Sequence, residues 1–598
     1  MCVITIFFVF SPPSKTPPMN RCQPYCQKHP LTGVFLIQLL TCFFLLNCSP
    51  VAAQVSVAFS KPGGFYPETF ALSIETENAG GASLQIRYTL NGTVPTANSL
   101  LYKHPLAMDR TLCSPSNIYK IPNTIPQYQS PVPDEVEHII VVRAAAFNAA
   151  GERCSEVITA SYLIAPLLGR KIQLPVLSLC VDSFDLFDLD KGIFVPGKSF
   201  DPARPDATGN YYLKGRENEK EGYVEFLDQL VSFAQPCGVR THGNRGRRYA
   251  QKGLSLYARK EYGEKRFGPV FEDEDFTVKH LVLKPFSCAW TPMGFQDLYC
   301  QQLAKYFSSF GSLKARPVVL FLNGEYWGIY FLEEKPDERY LEDHFGVDRN
   351  RVSLVEDWAG HDGNGDIDSA FAAMMNWLRT ANPSDDRQYE QLSKMVDVES
   401  FTDYVLFETF IGNRDWPANN MRCWSEDGSP WQFIFYDGDA VRTQYFDFVG
   451  NALYNRDDKT WPTSAEATLL LRRLLQNPGY RTFFVERLDK IQHLFSFASR
   501  VDRKLFEQTA ASLKSEIPYQ SKRFGFPKSS RSWRQAVRQQ RRYWRHRGDE
   551  VRRAWLQTVS EYNGESCPVR WPVGRWVAMF VAGVAALVAL VLFIRRRR

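Results

Sequence analysis

The pattern of apolar and polar positions divides the chain into an all-β part and a mixed part. Between residues 55 and 165, short apolar runs are separated by turns rich in Pro and Gly. Residues 84–90 alternate between apolar and polar and end at the turn Asn91-Gly92, and residues 139–144 form a further apolar run. Alternation of this kind is typical of strands with one buried face. The pattern therefore predicts a small β-sandwich over 55–165.

From about residue 170 to 560 the pattern changes to mixed strands and helices. The apolar runs 317–322 and 326–332 flank the turn Asn323-Gly324, which is a strong hairpin signal. Helical periodicity is clear over 401–410. These segments predict a second, α+β domain over 170–560.

Two polar segments flank a buried-looking strand at 431–436. Asp415 follows the predicted helix and Asn420 comes five positions later, whereas Asp437 and Asp439 follow the strand and point to the same side of an extended segment. Protein kinases use an Asp, an Asn and a later Asp in this order, to receive the hydroxyl proton and to hold Mg²⁺. The order predicts a phosphotransferase in which Asp415 is catalytic and Asn420, Asp437 and Asp439 bind metal.

Each polar segment also has a purely structural interpretation. Asp415 and Asn420 could cap turns, and residues 437–439 could form a hairpin tip. Asn419 is an alternative to Asn420 as the metal ligand. The occurrence of both segments, in order, around one strand favours the functional interpretation.

Four groups of residues between 245 and 439 carry a resemblance to a known family, and the resemblance extends over about 175–555. They are Arg245-Gly246-Arg247-Arg248 with Lys252, residues 322–330 with Glu334, residues 412–415 with Asn419-Asn420, and residues 433–439. In this order they resemble the spore-coat protein H (CotH) kinase family of atypical protein kinases. The resemblance implies ATP-dependent phosphorylation of protein Ser/Thr, including the chain itself, with Mg²⁺ or Mn²⁺.

The resemblance also implies roles for single residues. Asp415 becomes the catalytic Asp, Asn420 a metal ligand and Asp437 the principal Mg²⁺ ligand. Lys252 is the first choice for the cation that contacts the ATP phosphates. The alternatives or helpers for that role are Arg245, Arg247, Arg248 and the strand-borne Lys284. Glu334, at the end of the hairpin, is expected near the adenine site.

The N-terminal β region resembles a different family. Residues 88–95, 101–102 and 142–146, with Gly151 and Ser155, are similar to the chitobiase/β-hexosaminidase C-terminal-type domain. Such domains are accessory modules, so the resemblance implies either glycan binding or a spacer and no chemistry.

Apolar segments lie near both ends of the chain. The run 33–46 follows basic residues and precedes small ones, which predicts an export signal within 1–53. The run 576–594 is followed by four arginines and predicts a C-terminal transmembrane helix or a cleaved sorting tail. The expected location is therefore the cell envelope, with the body outside the cytoplasm and anchored in the membrane.

Charge and composition limit the remaining functions. A formal charge of +6 over 598 residues does not imply a nucleic-acid partner.

One alternative to the kinase is a non-catalytic surface adhesion or structural protein, with a kinase-like scaffold and a glycan-recognising β-domain. Glycoside hydrolysis would need two carboxylates across a sugar cleft, and nothing in the context of Asp415 and Glu334 supports that use.

Overall fold

A β-domain, a closed β-barrel and a helical region follow one another along the chain in the computed structural model. The model describes residues 55–77, 83–112, 116–228, 232–271, 276–358, 369–441, 447–455, 462–492 and 500–562. The described residues, from Val55 to Tyr562, belong to one compact unit. The order of an N-terminal β-domain and an α+β region confirms those two parts of the predicted fold class.

The β-domain consists of nine described strands in three small sheets. They are β1 (Ser56–Phe59), β2 (Gly64–Tyr66), β3 (Phe70–Leu72), β4 (Ile74–Glu77), β5 (Gln85–Thr89), β6 (Leu100–Leu101), β7 (Leu106–Met108), β8 (Ile140–Phe147) and β9 (Ile158–Ile164). The largest sheet has the order β2-β9-β8-β5-β6, and the pairs β1-β4 and β3-β7 complete the domain. Its core contains Leu72, Met108, Val142 and Tyr162, each of which is buried.

Seven strands then close into a barrel with the order β10-β11-β12-β13-β14-β16-β15. They are β10 (Val176–Val181), β11 (Lys220–Leu227), β12 (Ser232–His242), β13 (Gly253–Tyr257), β14 (His280–Pro285), β15 (Ala315–Leu322) and β16 (Glu325–Glu334). All neighbours are antiparallel except β10 and β15. Alternate apolar residues, including Leu254, Leu281, Leu283 and Leu320, pack together as one core. The residues between them on each strand face outward.

A small sheet and thirteen helices complete the described part of the chain. The sheet contains β17 (Val352–Glu356), β18 (Arg422–Glu426) and β19 (Gln432–Ile434). The helices are α1 (Ala165–Leu168), α2 (Ser183–Phe187), α3 (Gln296–Ala304), α4 (Glu338–Phe345), α5 (Ser369–Thr380), α6 (Asp386–Met395), α7 (Val398–Ile411), α8 (Phe448–Ala452), α9 (Leu469–Leu474), α10 (Pro478–Ile491), α11 (Arg500–Leu513), α12 (Ile517–Phe524) and α13 (Ser530–Glu561).

The 32-residue helix α13 packs an aromatic stripe on the rest of the helical region. Its buried residues include Trp533, Trp544 and Trp555, which recur every three turns and so share one face of the helix. Most of its arginines lie on the other faces. The basic segment is therefore a docked helix with a charged outer surface.

The β-domain is joined to the barrel by buried polar contacts. The Glu325 carboxylate, on β16, accepts hydrogen bonds from the backbone N–H groups of Ile118 and Tyr119 at 2.9 and 2.8 Å. Glu225, on β11, accepts one from the backbone N–H of Ser161, on β9, at 3.0 Å. Buried carboxylates are costly unless they are hydrogen-bonded, so these contacts hold the two parts in one arrangement.

The predicted transmembrane helix is wrong, and with it the third part of the predicted fold class. Within the described residues, no helix is both long enough and apolar enough to cross a bilayer. The longest, α13, has the length but carries many arginines. The expected membrane partner and the expected membrane-anchored localisation rested on that helix and are corrected with it. Segment 576–594 and the export signal predicted within 1–53 lie outside the described residues.

Candidate active site

Lys284 lies at the point where the barrel meets the helical region. On β14 its neighbour Leu283 points into the barrel, so Lys284 points outward. Its ammonium lies 3.2 Å from Glu333 Oε2 and 3.2 Å from Asp437 Oδ1, and it also contacts the Asp297 carboxylate. One cation thus joins two barrel strands, helix α3 and the segment that follows β19.

Strand alternation explains why Glu333, and not Glu334, belongs to this cluster. Glu333 is paired with Val282 on β14 and therefore lies diagonally opposite Lys284. Glu334 points to the other face, where it accepts hydrogen bonds from His344 Nε2 and from the backbone N–H of Lys314, both at 2.7 Å. The structure therefore places the predicted Glu334 outside the cluster.

Asp297 connects helix α3 to the acidic segment 437–439. One of its oxygens contacts Lys284, and the other accepts a hydrogen bond from the backbone N–H of Gly438 at 2.8 Å. A Cβ on Gly438 would lie 2.8 Å from the Phe435 ring and 3.0 Å from Cys300 Cβ. Only glycine allows the backbone to approach α3 this closely.

The loop after α7 brings Asn420 to Asp437. The amide nitrogens of Asn420 and Asn413 donate to the main-chain carbonyl of Asp437 at 3.0 and 3.5 Å. No hydrogen bond to Asn420 Oδ1 comes from the described part of the chain. Asn420 and Asp437 both adopt left-handed backbone conformations, with φ of 59° and 61°. Such conformations in non-glycine residues are concentrated at functional sites.

Helix α13 fixes the start of this loop. The guanidinium of Arg547 donates to the carbonyls of Thr409 and Phe410 at 2.6 and 2.7 Å, and Tyr543 donates to the carbonyl of Ile411 at 3.3 Å. These are among the last carbonyls of α7, which have no partner within the helix. Gly412 then ends α7 with φ of 70°. Asp415 follows three residues later on an anchored backbone.

Negative charge exceeds positive charge in the cluster. Burial would lower the pKa of Lys284, but Asp297, Asp437 and Glu333 raise it well above its usual value, so the ammonium stays charged. Burial, followed by the charge of Asp437, raises the pKa of Asp439 well above its usual range. The charges of Asp297 and Asp415 raise it further.

The side-chain oxygens of this cluster fit a divalent cation in two respects. Asp437, Asp439 and Asn420 offer carboxylate and amide oxygens, which Mg²⁺ prefers. The carboxylates also outnumber the single ammonium, and a further cation would relieve the repulsion that, after burial, raises the pKa of Asp439. Among the described residues, no group of three or more His, Cys, Asp or Glu side chains is already arranged around a metal position. Such a cation would therefore draw on the Asn420 amide and on Asp437, which Lys284 now contacts.

Lys252 and Arg245 lie outside this cluster. The Lys252 ammonium is buried and donates to the carbonyls of Arg247 and Tyr249 at 2.8 and 3.0 Å. Burial lowers the pKa of Lys252 to about 7. Arg245 is exposed on the turn between β12 and β13. Lys252 thus holds the base of that turn, and Arg245 extends from it.

Asp297 and Glu333 are the site residues that the sequence interpretation missed. A sequence signal for Glu333 did exist. Lys284 lies on a strand, and its partners must lie on the same face of the sheet, which alternate residues of the paired strand occupy. Asp297 had none, since nearly all positions of α3 are buried and its pattern does not mark one face. Its role depends on how α3 lies across the barrel.

Two family models match the chain. The model described as CotH kinase protein matches residues 239–551, and the model described as chitobiase/beta-hexosaminidase C-terminal domain matches residues 61–113. No curated protein matches the sequence. A solved structure, Drosophila OTK extracellular domains 3–5, aligns at 8% identity over 39% of this chain and 93% of its own, with a TM-score of 0.11. That score is too low to indicate a shared fold.

Proposed function

The chain belongs to the CotH kinase protein family, and from this premise we propose that it is an atypical protein kinase. It transfers the γ-phosphoryl group of ATP to Ser or Thr of a protein, including its own chain. Asp415 receives the hydroxyl proton, and Asp437, Asn420 and Asp439 hold Mg²⁺ or Mn²⁺.

The observation that carries the proposal is the arrangement around Lys284. Lys284 lies on β14, which is the third strand counted from β12. It pairs with Asp297, a carboxylate of the next α-helix, α3. Protein kinases likewise carry a lysine on their third strand, paired with a carboxylate of the helix that follows. Their glycine-rich loop covers the phosphates, as the turn Arg245–Arg248 would here.

Each side chain has a definite task in this scheme. Bound Mg²⁺ supplies charge neutralisation to the triphosphate. Lys284 pairs with phosphate oxygens in this scheme, and it can do so because its ammonium stays charged. Asp415, half-buried after α7, orients the acceptor hydroxyl and takes its proton. Asn413 and Asn420 hold the main chain of Asp437 in place.

The β-domain has a separate proposed role. Its match to the chitobiase/beta-hexosaminidase C-terminal domain supports carbohydrate binding. We place glycan recognition there and phosphoryl transfer in the CotH region. Titration of the chain with chito-oligosaccharides tests this role, and the absence of binding leaves the domain as a spacer.

The central experiment measures labelling and nucleotide binding together. The chain is incubated with γ-labelled ATP and Mg²⁺ or Mn²⁺, and thermal stabilisation by Mg-ATP is recorded in parallel. We expect Asp415→Asn to abolish labelling while thermal stabilisation by Mg-ATP persists. We expect Asp437→Asn to abolish labelling and also to remove the Mg²⁺ dependence of the thermal stabilisation. Asp489→Asn, on the exposed side of α10 beside Arg552, is the matched control and should behave as wild type.

Two outcomes would contradict the proposal. Unchanged labelling in both site variants would show that these residues do not catalyse the transfer. Glycan binding without nucleotide binding would instead favour the adhesion protein on a kinase-like scaffold.

A further inference from the structure

Arg422 is a buried cation that joins three separate segments of the chain. It is the first residue of β18, and only 5% of it is exposed. Its guanidinium donates to the main-chain carbonyl of Pro336 and lies 2.5 Å from the carboxylate of Glu356, on β17. It also lies 4.6 Å from the centre of the Tyr436 ring, whose hydroxyl donates to Glu356 at 2.9 Å. One guanidinium thus connects the end of β17, the segment after β19 and Pro336.

Pro336 lies in the three-residue segment through which the chain leaves the barrel. The last barrel strand, β16, ends at Glu334, and α4 begins at Glu338. Residues 335–337, which we call the linker, therefore connect the barrel to every described element that follows. Short segments of this kind are where two packed parts of an enzyme change their relative position. A side chain that binds the linker limits such a change.

The linker is close along the chain to Lys284, on the barrel side of the candidate site. Glu333, which lies 3.2 Å from the Lys284 ammonium, comes three residues before Pro336. An extended chain covers only about 10 Å in three residues. A shift of the linker therefore also shifts the strand that holds Lys284.

Arg422 is equally close to the proposed metal ligands on the other side of the site. Asn420 precedes it by two residues, and Tyr436, which its guanidinium contacts, directly precedes Asp437. The bond from Arg422 to Pro336 thus links the two sides of the site from behind. The ion pair of Lys284 with Asp437, at 3.2 Å, links them from the front.

The two links respond differently to a bound cation. A cation held by Asp437 draws on the carboxylate that Lys284 now contacts, so it weakens the ion pair at the front. The bond from Arg422 to Pro336 involves no proposed metal ligand, so it persists. It continues to hold the linker against β18 while the site is occupied.

Stability alone does not account for the contacts of Arg422. Buried ion pairs often add little to the net free energy of folding, because desolvation offsets their attraction. A planar guanidinium instead fixes a position, since its donors bind two acceptors in one geometry. The end of the linker is attached separately, because Tyr340 of α4 and Trp424 of β18 belong to one buried cluster. Arg422 holds the middle of the linker.

We propose that Arg422 is a positioning residue for the proposed phosphoryl transfer, and that it keeps Lys284 and the metal ligands at the separation that Mg-ATP requires. The inference rests on the proposed kinase function. When the two sides are held less firmly, only a fraction of the molecules is ready to bind Mg-ATP, and the apparent affinity falls by that fraction. The acceptor peptide meets Asp415 and not Lys284, so its KM does not change.

Steady-state kinetics of a conservative variant test this role. Arg422→Lys keeps the charge but loses the paired donors to Pro336 and Glu356. We expect the KM for Mg-ATP to rise about tenfold, while kcat and the KM for an acceptor peptide stay within about twofold. Calorimetric titration with a non-hydrolysable Mg-ATP analogue should show the same tenfold loss of affinity. Arg351→Lys, where Arg351 pairs with Asp427 at the other end of the same two strands, is the matched control and should behave as wild type.

A double-mutant cycle separates positioning from a purely structural role. If Arg422 acts by placing Lys284, Arg422→Lys should add less than about twofold to the loss of kcat/KM in Lys284→Met, whereas independent losses multiply. Thermal unfolding of each variant shows whether it is folded. Glu356→Gln is the second variant if Arg422→Lys does not fold. It should raise the KM for Mg-ATP about threefold, because a neutral amide holds the guanidinium less strongly.

Three results would overturn the proposal. An unchanged KM for Mg-ATP in folded Arg422→Lys and in Glu356→Gln shows that the linker contact does not affect the site. A full tenfold loss added to that of Lys284→Met shows that Arg422 acts independently of Lys284. An equal rise in the KM for the acceptor peptide shows a general loosening. Failure of the kinase function itself is recognised separately, because the wild-type chain then shows no labelling, and the inference falls with it.

Discussion

Lys252 and Lys284 lie at neighbouring strands of one barrel, Lys252 buried and Lys284 half-buried, and their surroundings differ. Lys252 immediately precedes β13, where Leu254 pairs with Leu283 of β14 beside Lys284. Within the described residues, the Lys252 ammonium contacts main-chain carbonyls and lies 4.2 Å from the centre of the Tyr211 ring. The Lys284 ammonium contacts three carboxylates instead. The pKa is lowered to about 7 at Lys252 and raised well above normal at Lys284.

The difference shows what makes a buried lysine suitable for phosphate. Burial acts on both residues in the same direction, towards the neutral amine. Only nearby carboxylates keep the charge in place, and the charge is what attracts a triphosphate. The sequence around Lys252 resembles a functional motif, yet the structure gives that lysine the task of holding a turn.

The largest expected effect comes from exchanging Lys284 for an uncharged residue of similar length. Lys284→Met should lower kcat/KM for phosphorylation by roughly 10³-fold, about 4 kcal/mol, because the cation facing the triphosphate is lost. Lys252→Met is the matched variant and should stay within about fivefold of wild type, since its ammonium contacts only the turn. Equal losses of kcat/KM in both variants would show that the different surroundings of Lys252 and Lys284 do not determine their roles.

The second effect is a pH dependence of stability carried by Lys252. Its pKa is about 7 in the folded chain and 10.5 as the ordinary value. The unfolded chain therefore binds more protons between these values, and stability rises with pH in that window. Between pH 7.5 and 9.5 the rise from this residue should be about 2 to 3 kcal/mol. Denaturant titrations at several pH values should show this slope in wild type and lose it in Lys252→Met.

Lys284→Met provides the control for that slope. Because the pKa of Lys284 is raised well above normal, the ammonium stays charged over this range in both states. The variant should therefore keep the alkaline rise. Its loss in Lys284→Met would contradict the assignment to Lys252.

A smaller effect separates the adjacent residues Glu333 and Glu334. Glu333→Gln should lower kcat/KM by about tenfold, because one of the carboxylates that keep Lys284 charged is removed. Glu334→Gln should leave kcat/KM within about twofold but lower the free energy of unfolding by about 1 kcal/mol, through weaker bonds to His344 and the Lys314 backbone. The reverse pattern would assign the functional face of β16 to Glu334.

The smallest effect concerns a third buried cation, Arg547, which contacts carbonyls as Lys252 does but lies behind the catalytic loop. Arg547→Lys keeps the charge and loses the paired donors to Thr409 and Phe410. We expect kcat/KM to fall by a factor of about three to five and the unfolding free energy to fall by about 1 kcal/mol. A fall in stability with unchanged kcat/KM would show that α13 does not position Asp415.

Local patterns predicted the elements better than the contacts between them. The predicted hairpin appears as β15 and β16 around Asn323-Gly324, and the predicted helix 401–410 lies within α7. Asn420 and Asp437 meet as expected from their order around one strand. The predictions at Lys252 and Glu334 depended on which way a side chain points. Closure of the barrel and the path of α3 determine that, and both are long-range properties.

The hydrogen bonds of Glu325 have a consequence for how the molecule handles a large ligand. This buried carboxylate accepts hydrogen bonds from the backbone between β7 and β8, and these bonds hold the β-domain in one arrangement relative to the barrel. A glycan bound by the β-domain, as proposed, would therefore be held at one distance and in one orientation relative to the proposed site of transfer.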